Sequence, residues 1–255
     1  MSDLVRDGVS IHYECHGKQQ NVPTILLSHG YSATSAMWRG QVEALADRYN
    51  IIVWDMRGHG HSDSPDDPAL YSEQHTVDDM AAILDACNIQ RAVIGGLSLG
   101  GYMTLAFHVA YPERCSALML FDTGPGYKNS EARQGWNDNA NARAKAFEEH
   151  GLQALGAGNE VRIASHRSAA GLAHAARGML AQVDDRIIQS LPKIAIPVLV
   201  LVGENDTPFR VPTDYMAAKI AGASKVIVPD AGHASNIDQP EAFNLAVVDF
   251  IESFG

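Results

Sequence analysis

Positive charge is in short supply. The chain has 19 Lys and Arg against 30 Asp and Glu, a net charge of −11. No cation cluster is present to grip a phosphate backbone, so nucleic acid is not expected as a partner. Cysteine is scarce too: Cys15, Cys87 and Cys115 are three in number, far apart and without CxxC spacing. That pattern suits a reducing compartment and neither a disulfide framework nor a zinc site, and each cysteine is read as a small buried apolar residue. Long hydrophobic runs are missing. The longest, residues 194–202, contains Pro197 and is far too short for a bilayer. The opening Met1-Ser2-Asp3-Leu4-Val5-Arg6-Asp7 has no apolar core, so no secretory signal is expected. There is no internal repeat, low-complexity linker or run of like charge. These absences predict a cytoplasmic protein with no membrane partner.

At 255 residues, 46% of them apolar, the chain can bury roughly 75% of its unfolded surface. Strand-like and helix-like segments alternate in two regions. Residues 9–15 alternate like a half-buried strand. Residues 24–28, 51–54, 92–94, 117–121 and 198–202 are continuous apolar runs, as strands covered on both faces require. Between them, Met37, Trp38, Val42, Leu45 and Ala46 recur at helical spacing. Residues 76–87 predict a helix with Thr76 and Asp79 as its starting signal. A helix at 215–221, a strand at 225–228 and a helix at 241–250 complete the second region. From Gly124 to Leu191 no strand pattern exists, and segments 131–150 and 160–177 read as several short helices. The pattern predicts a mostly parallel sheet with helices on both faces, interrupted by a helical insertion.

The run Gly95-Gly96-Leu97-Ser98-Leu99-Gly100-Gly101 lies between the strand at 92–94 and an apolar helix from Tyr102. Strand, Gly-x-Ser-x-Gly turn and helix form the context in which a serine is held as a nucleophile. Such a serine needs a base, and the base needs an orienting acid. In an open parallel sheet these groups should follow strand ends. Asp206 follows 198–202 and His233 follows 226–228, which gives the chain order Ser98, Asp206, His233. Asp122, at the end of 117–121, is the rival acid. Asp230 is too near His233 in sequence to orient it easily, and Glu148-Glu149 reads as a solvated helix face. A developing oxyanion needs rigid backbone donors. The N–H groups of Leu99 and of Tyr31, in the loop after strand 24–28, are the candidates. His29 is read as structural, with a second base as the alternative. His59 and His61, flanked by Asp55 and Asp63, are better explained by a glycine loop than by a metal. No metal and no cofactor are expected. Tyr31, Leu99 and Trp136 are the candidate walls of a substrate pocket.

On these residues the chain resembles the α/β-hydrolase fold family over essentially its whole length. The elbow around Ser98, His29-Gly30, Asp55-Met56-Arg57-Gly58-His59-Gly60-His61-Ser62, Gly203-Glu204-Asn205-Asp206 and Ala231-Gly232-His233 carry the likeness. The resemblance implies an eight-stranded, mostly parallel sheet whose first strand lies near Leu4 and runs antiparallel. It implies a core domain of residues 1–123 and 192–255, with residues 124–191 as a small helical cap. Serine rather than aspartate at 98 argues against haloalkane dehalogenases and epoxide hydrolases. The resemblance therefore points to a serine hydrolase of small carboxylic esters, a carboxylesterase. The alternatives are an enol-lactonase or carbon–carbon bond hydrolase with the same triad, and, more distantly, a non-catalytic binding member of the fold. Fold alone does not choose the substrate. A small ester or lactone is the expected partner, with a homo-oligomer left open.

Overall fold

The computed structural model describes residues 2–17 and 20–254. Eight strands form one sheet: β1 (Ser2–Arg6), β2 (Val9–His16), β3 (Thr24–Ser28), β4 (Asn50–Trp54), β5 (Ala92–Leu97), β6 (Cys115–Phe121), β7 (Val198–Gly203) and β8 (Ser224–Val228). Their order is β1-β2-β4-β3-β5-β6-β7-β8. β1 lies at Leu4 as expected and pairs antiparallel with β2, but the strand that opposes the rest of the sheet is β2. From β4 to β8 every pairing is parallel. This is an α/β-hydrolase fold.

Ten α-helices fill the connections among the described residues: α1 (Arg39–Leu45), α2 (Glu73–Ala86), α3 (Leu99–Ala110), α4 (Ser130–His150), α5 (Asn159–Arg162), α6 (Ala169–Ala175), α7 (Arg186–Ser190), α8 (Thr207–Lys219), α9 (Ser235–Asp238) and α10 (Pro240–Glu252). Alternation along the strands sorts the core into two layers. Ile25, Leu27, Ile51 and Val53 face α1 and α10, while Leu26, Ile52, Trp54 and Ile94 face α2 and α3. The stretch between β6 and β7 holds helices only among the described residues. Its buried Ala144, Phe147, Leu172 and Ala173 join the α2–α3 side through Tyr31, Leu99 and Tyr102.

Four local expectations are corrected. α2 begins at Glu73, because the Ser72 side chain accepts the His75 N–H and caps the first turn. Thr76 and Asp79 lie inside that helix, where Asp79 is buried against Arg57 with bonds of 2.7 and 2.8 Å. Segment 131–150 is one unbroken helix of 21 residues, capped by the Asn129 side chain and stopped by Gly151 at φ 60°. α8 starts directly after Asp206, eight residues earlier than expected. Pro208 is tolerated in the first turn, where helical amides have no partner in any case. Finally, only Cys115 is buried, whereas Cys15 is exposed and Cys87 half-buried. Cys15 sits one residue from the end of β2 and Cys87 at the C-cap of α2, so both thiols lie at element ends rather than in the interior.

Candidate active site

Ser98 joins β5 to α3 with φ 56° and ψ −114°, the left-handed side of conformational space. An L residue is strained there, and close packing holds it in place. A Cβ at Gly96 would fall 2.4 Å from the Gly100 backbone, and one at Gly100 would fall 2.2 Å from the Ser28 carbonyl oxygen. Both positions must be glycine for strand and helix to approach this closely. The Ser98 N–H donates to Phe121 O at 3.0 Å, and the Thr123 hydroxyl donates to Ser98 O at 2.6 Å. The serine is thus clamped on both backbone sides while its hydroxyl faces an open cavity.

Asp206 and His233 come from the loops after β7 and β8. These loops are sewn together by Glu204 N–H to Val228 O (2.9 Å) and Asn205 N–H to Ala231 O (2.8 Å). Across that seam His233 Nδ1 lies 2.8 Å from Asp206 Oδ2. The carboxylate accepts the Nδ1–H, which leaves Nε2 as the free lone pair. Phe209, one turn into α8, stacks on the imidazole at 5.0 Å and fixes its plane. Burial lowers the basicity of His233. The hydrogen bond and charge of Asp206, with Asp122 and Glu160 adding to them, outweigh that and raise its pKa above the usual value.

Asp122 is also buried, but its oxygens are occupied. Oδ1 accepts the Gly203 N–H at 2.7 Å and Oδ2 accepts the Ser235 hydroxyl. It ties the β7 loop to α9 and makes no hydrogen bond to the imidazole. Burial pushes its pKa up to about 7. Glu148 pairs with Arg177 at 2.5 and 2.8 Å.

The loop after β3 is held by three neutral histidines. His29 Nε2 accepts the Met56 N–H at 3.0 Å, so its Nδ1–H donates to Gly30 O at 2.7 Å. His59 accepts from Ser32 N–H and faces Arg57 O; His166 accepts from Gly60 N–H and faces Ser32 O. Each ring uses one nitrogen as acceptor and one as donor, which a protonated imidazole cannot do. Burial lowers the pKa of all three, that of His29 to about 4. Asp55 completes the frame by accepting the Ser35 and His61 amides at 2.7 and 2.8 Å. His29 and His59 are thereby structural. Among the described residues no group of three or more His, Cys, Asp or Glu is placed to hold a metal.

A cavity of ≈ 1050 Å³ brings Ser98, Asp206, His233, Tyr31, Leu99 and Trp136 onto one surface. The Leu99 N–H opens α3 and has no intrahelical acceptor. Neither it nor the Tyr31 N–H has an acceptor among the described residues. The Tyr31 hydroxyl donates to Leu172 O at 2.8 Å, and the Trp136 indole donates to Leu180 O at 2.8 Å. The sequence reading missed Phe209 and Gln182, which also line this cavity, as does Arg143, one of the arginines in residues 124–191 that would favour an anionic substrate by facing inward. Phe209 was open to inference, lying three residues after Asp206 in a helix. Gln182 and Arg143 reach the site only through the packing of the inserted helices, which no local pattern announces.

Residues 23–169 match the family described as alpha/beta hydrolase fold, and the chain belongs to that family. It is 31% identical to 3-oxoadipate enol-lactonase 1 of Acinetobacter baylyi over 97% of this chain and 95% of that one. Among solved structures, the enol-lactonase from Burkholderia xenovorans is similar with TM-score 0.80 and 28% identity, covering 98% of this chain and 100% of its own. A thermophilic esterase from Thermogutta terrifontis is similar with TM-score 0.86 and 27% identity, covering 100% and 99%. No helix among the described residues is long and apolar enough to cross a membrane.

Proposed function

We propose that this chain is a serine hydrolase of small carboxylic esters and lactones, with Ser98 as nucleophile, His233 as base and Asp206 as the orienting acid. One observation carries the reading: a strained serine shares a cavity with an imidazole whose Nδ1 is engaged by a buried carboxylate at 2.8 Å. His233 Nε2 takes the Ser98 proton as Oγ attacks the carbonyl. The tetrahedral oxyanion rests on the N–H groups of Tyr31 and Leu99. His233 then protonates the leaving alkoxide and activates water to release the acid from the acyl-enzyme. Residues 124–191 act as the cap, with Trp136, Arg143 and Gln182 shaping the acyl or alcohol pocket.

Within that class, an enol-lactone or another substrate bearing a carboxylate is favoured by Arg143. It lines the cavity and has no carboxylate within ion-pair distance among the described residues. The enol-lactonases among the relatives are in keeping with this. The test is turnover of p-nitrophenyl acetate and butyrate beside a lactone series, with Ser98→Ala as control. That variant should lose on the order of 10³-fold or more of kcat/KM and all labelling by a fluorophosphonate probe. Retained turnover would remove Ser98 from the mechanism, and a wild-type protein that stays unlabelled would favour a binding role.

A further inference from the structure

We propose that Cys15 and Cys87 form a reversible intramolecular disulfide when the protein meets a hydroperoxide oxidant. The two Sγ atoms lie 3.2 Å apart although 71 residues separate them in sequence. Two independent elements create this contact. Val9, Ile11, Tyr13 and Cys15 share one face of β2, the face that packs on α2. On α2, Met80, Ile83 and Leu84 cover that face, and Cys87, at the helix C-cap, is the next residue to reach it. The apolar register that builds this corner of the core therefore aims both thiols at one point. Closing a bond of about 2.05 Å needs each sulfur to move about 0.6 Å, within the reach of a χ1 adjustment.

The two thiols differ in a way that orders the chemistry. Cys15 is exposed, and Cys87 is half-buried with its thiol pushed up to about 12, by burial first and then by the neighbouring sulfur. Cys15 is thus the sulfur that the oxidant reaches first. It displaces water from the hydroperoxide and becomes a sulfenic acid, losing two electrons. The Cys87 sulfur then attacks the sulfenic sulfur, its proton leaves with the expelled hydroxide as water, and the S–S bond closes. In sum, two thiols and one peroxide give one disulfide and two waters. A dithiol reductant reverses it. Cys115 makes no contact with another cysteine among the described residues, lies buried and is likewise pushed up to about 12, so it stays reduced.

The test treats the full chain with a small excess of hydrogen peroxide, then counts thiols after denaturation and maps peptides by mass. Three reactive thiols should fall to one, with a mass loss of two hydrogen atoms and a Cys15–Cys87 cross-linked peptide that dithiothreitol releases. Cys15→Ser and Cys87→Ser should each abolish the cross-link while leaving basal hydrolysis unchanged, since neither thiol lines the cavity. Cys115→Ser should leave it intact. Accumulation of a doubly oxidised Cys15 without cross-linking, a covalent dimer through Cys15, or a cross-link to Cys115 would each overturn the assignment.

Discussion

Asp206→Asn is the substitution that separates the two buried carboxylates near His233. Asp206 is 4% exposed, and its one hydrogen bond to a side chain is the 2.8 Å contact with Nδ1. An asparagine of the same shape can offer its NH₂ to Nδ1, which forces the proton onto Nε2 and leaves nothing to accept from Ser98. The loss in kcat should be on the order of 10³ to 10⁴, or about 4 to 5.5 kcal/mol of transition-state stabilisation. The charge is removed as well, so the raised pKa of His233 should fall. In the wild type, activity should rise with pH through a limb above 6.5, as the imidazolium gives up its proton. In the variant, the residual rate should show that limb at lower pH. Asp122→Asn should do less, because Asp122 bonds Gly203 and Ser235 rather than the ring. Profiles of kcat/KM against pH with p-nitrophenyl butyrate decide the matter. If Asp206→Asn keeps its rate within tenfold and its limb unmoved while Asp122→Asn is dead, the acid has been misassigned.

Four further outcomes follow from the packing. Gly100→Ala should cost about 3 kcal/mol or more and abolish activity, since its methyl meets backbone 2.2 Å away that cannot yield. Gly135→Ala, in α4 with nothing within 4 Å, should instead stabilise the fold by up to about 1 kcal/mol through helix propensity, read as a higher melting temperature. Asp79→Ala should cost about 3 to 5 kcal/mol in urea titrations, because it strips the bidentate partner from a fully buried Arg57. Stability should fall as pH drops below 6.5. Unfolded histidines take up protons there, while folded His29 resists until about 4. At about 1.4 kcal/mol per unit, His29 alone removes about 2 kcal/mol by pH 5. A melting temperature flat between pH 7 and 5 would contradict the neutral-histidine frame.

What the sequence discloses here follows the range of each force. Strand runs such as 24–28 and 198–202 are read correctly because burial on both faces leaves a continuous apolar signature. Ser98, Asp206 and His233 are singled out because each follows a strand, and a parallel sheet gathers such ends along one rim, where the three line one cavity. Helix starts fail where local chemistry has two solutions. Ser72 and Thr76 are both plausible caps, and only the demand of Arg57 for a buried partner draws Asp79 inside the helix rather than leaving it at the start. The two acids are the sharper case. Asp122 and Asp206 both follow strand ends, and the sequence favours Asp206 only through the likeness of its Gly203-Glu204-Asn205-Asp206 segment. The difference lies in which loop is already committed. Asp122 spends its oxygens fastening the end of β7 to α9, while Asp206, three residues further along the same loop, keeps Oδ2 for the imidazole at 2.8 Å. One carboxylate is engaged by the backbone and a hydroxyl while the other faces the ring, a difference in partners that no spacing in the sequence can encode.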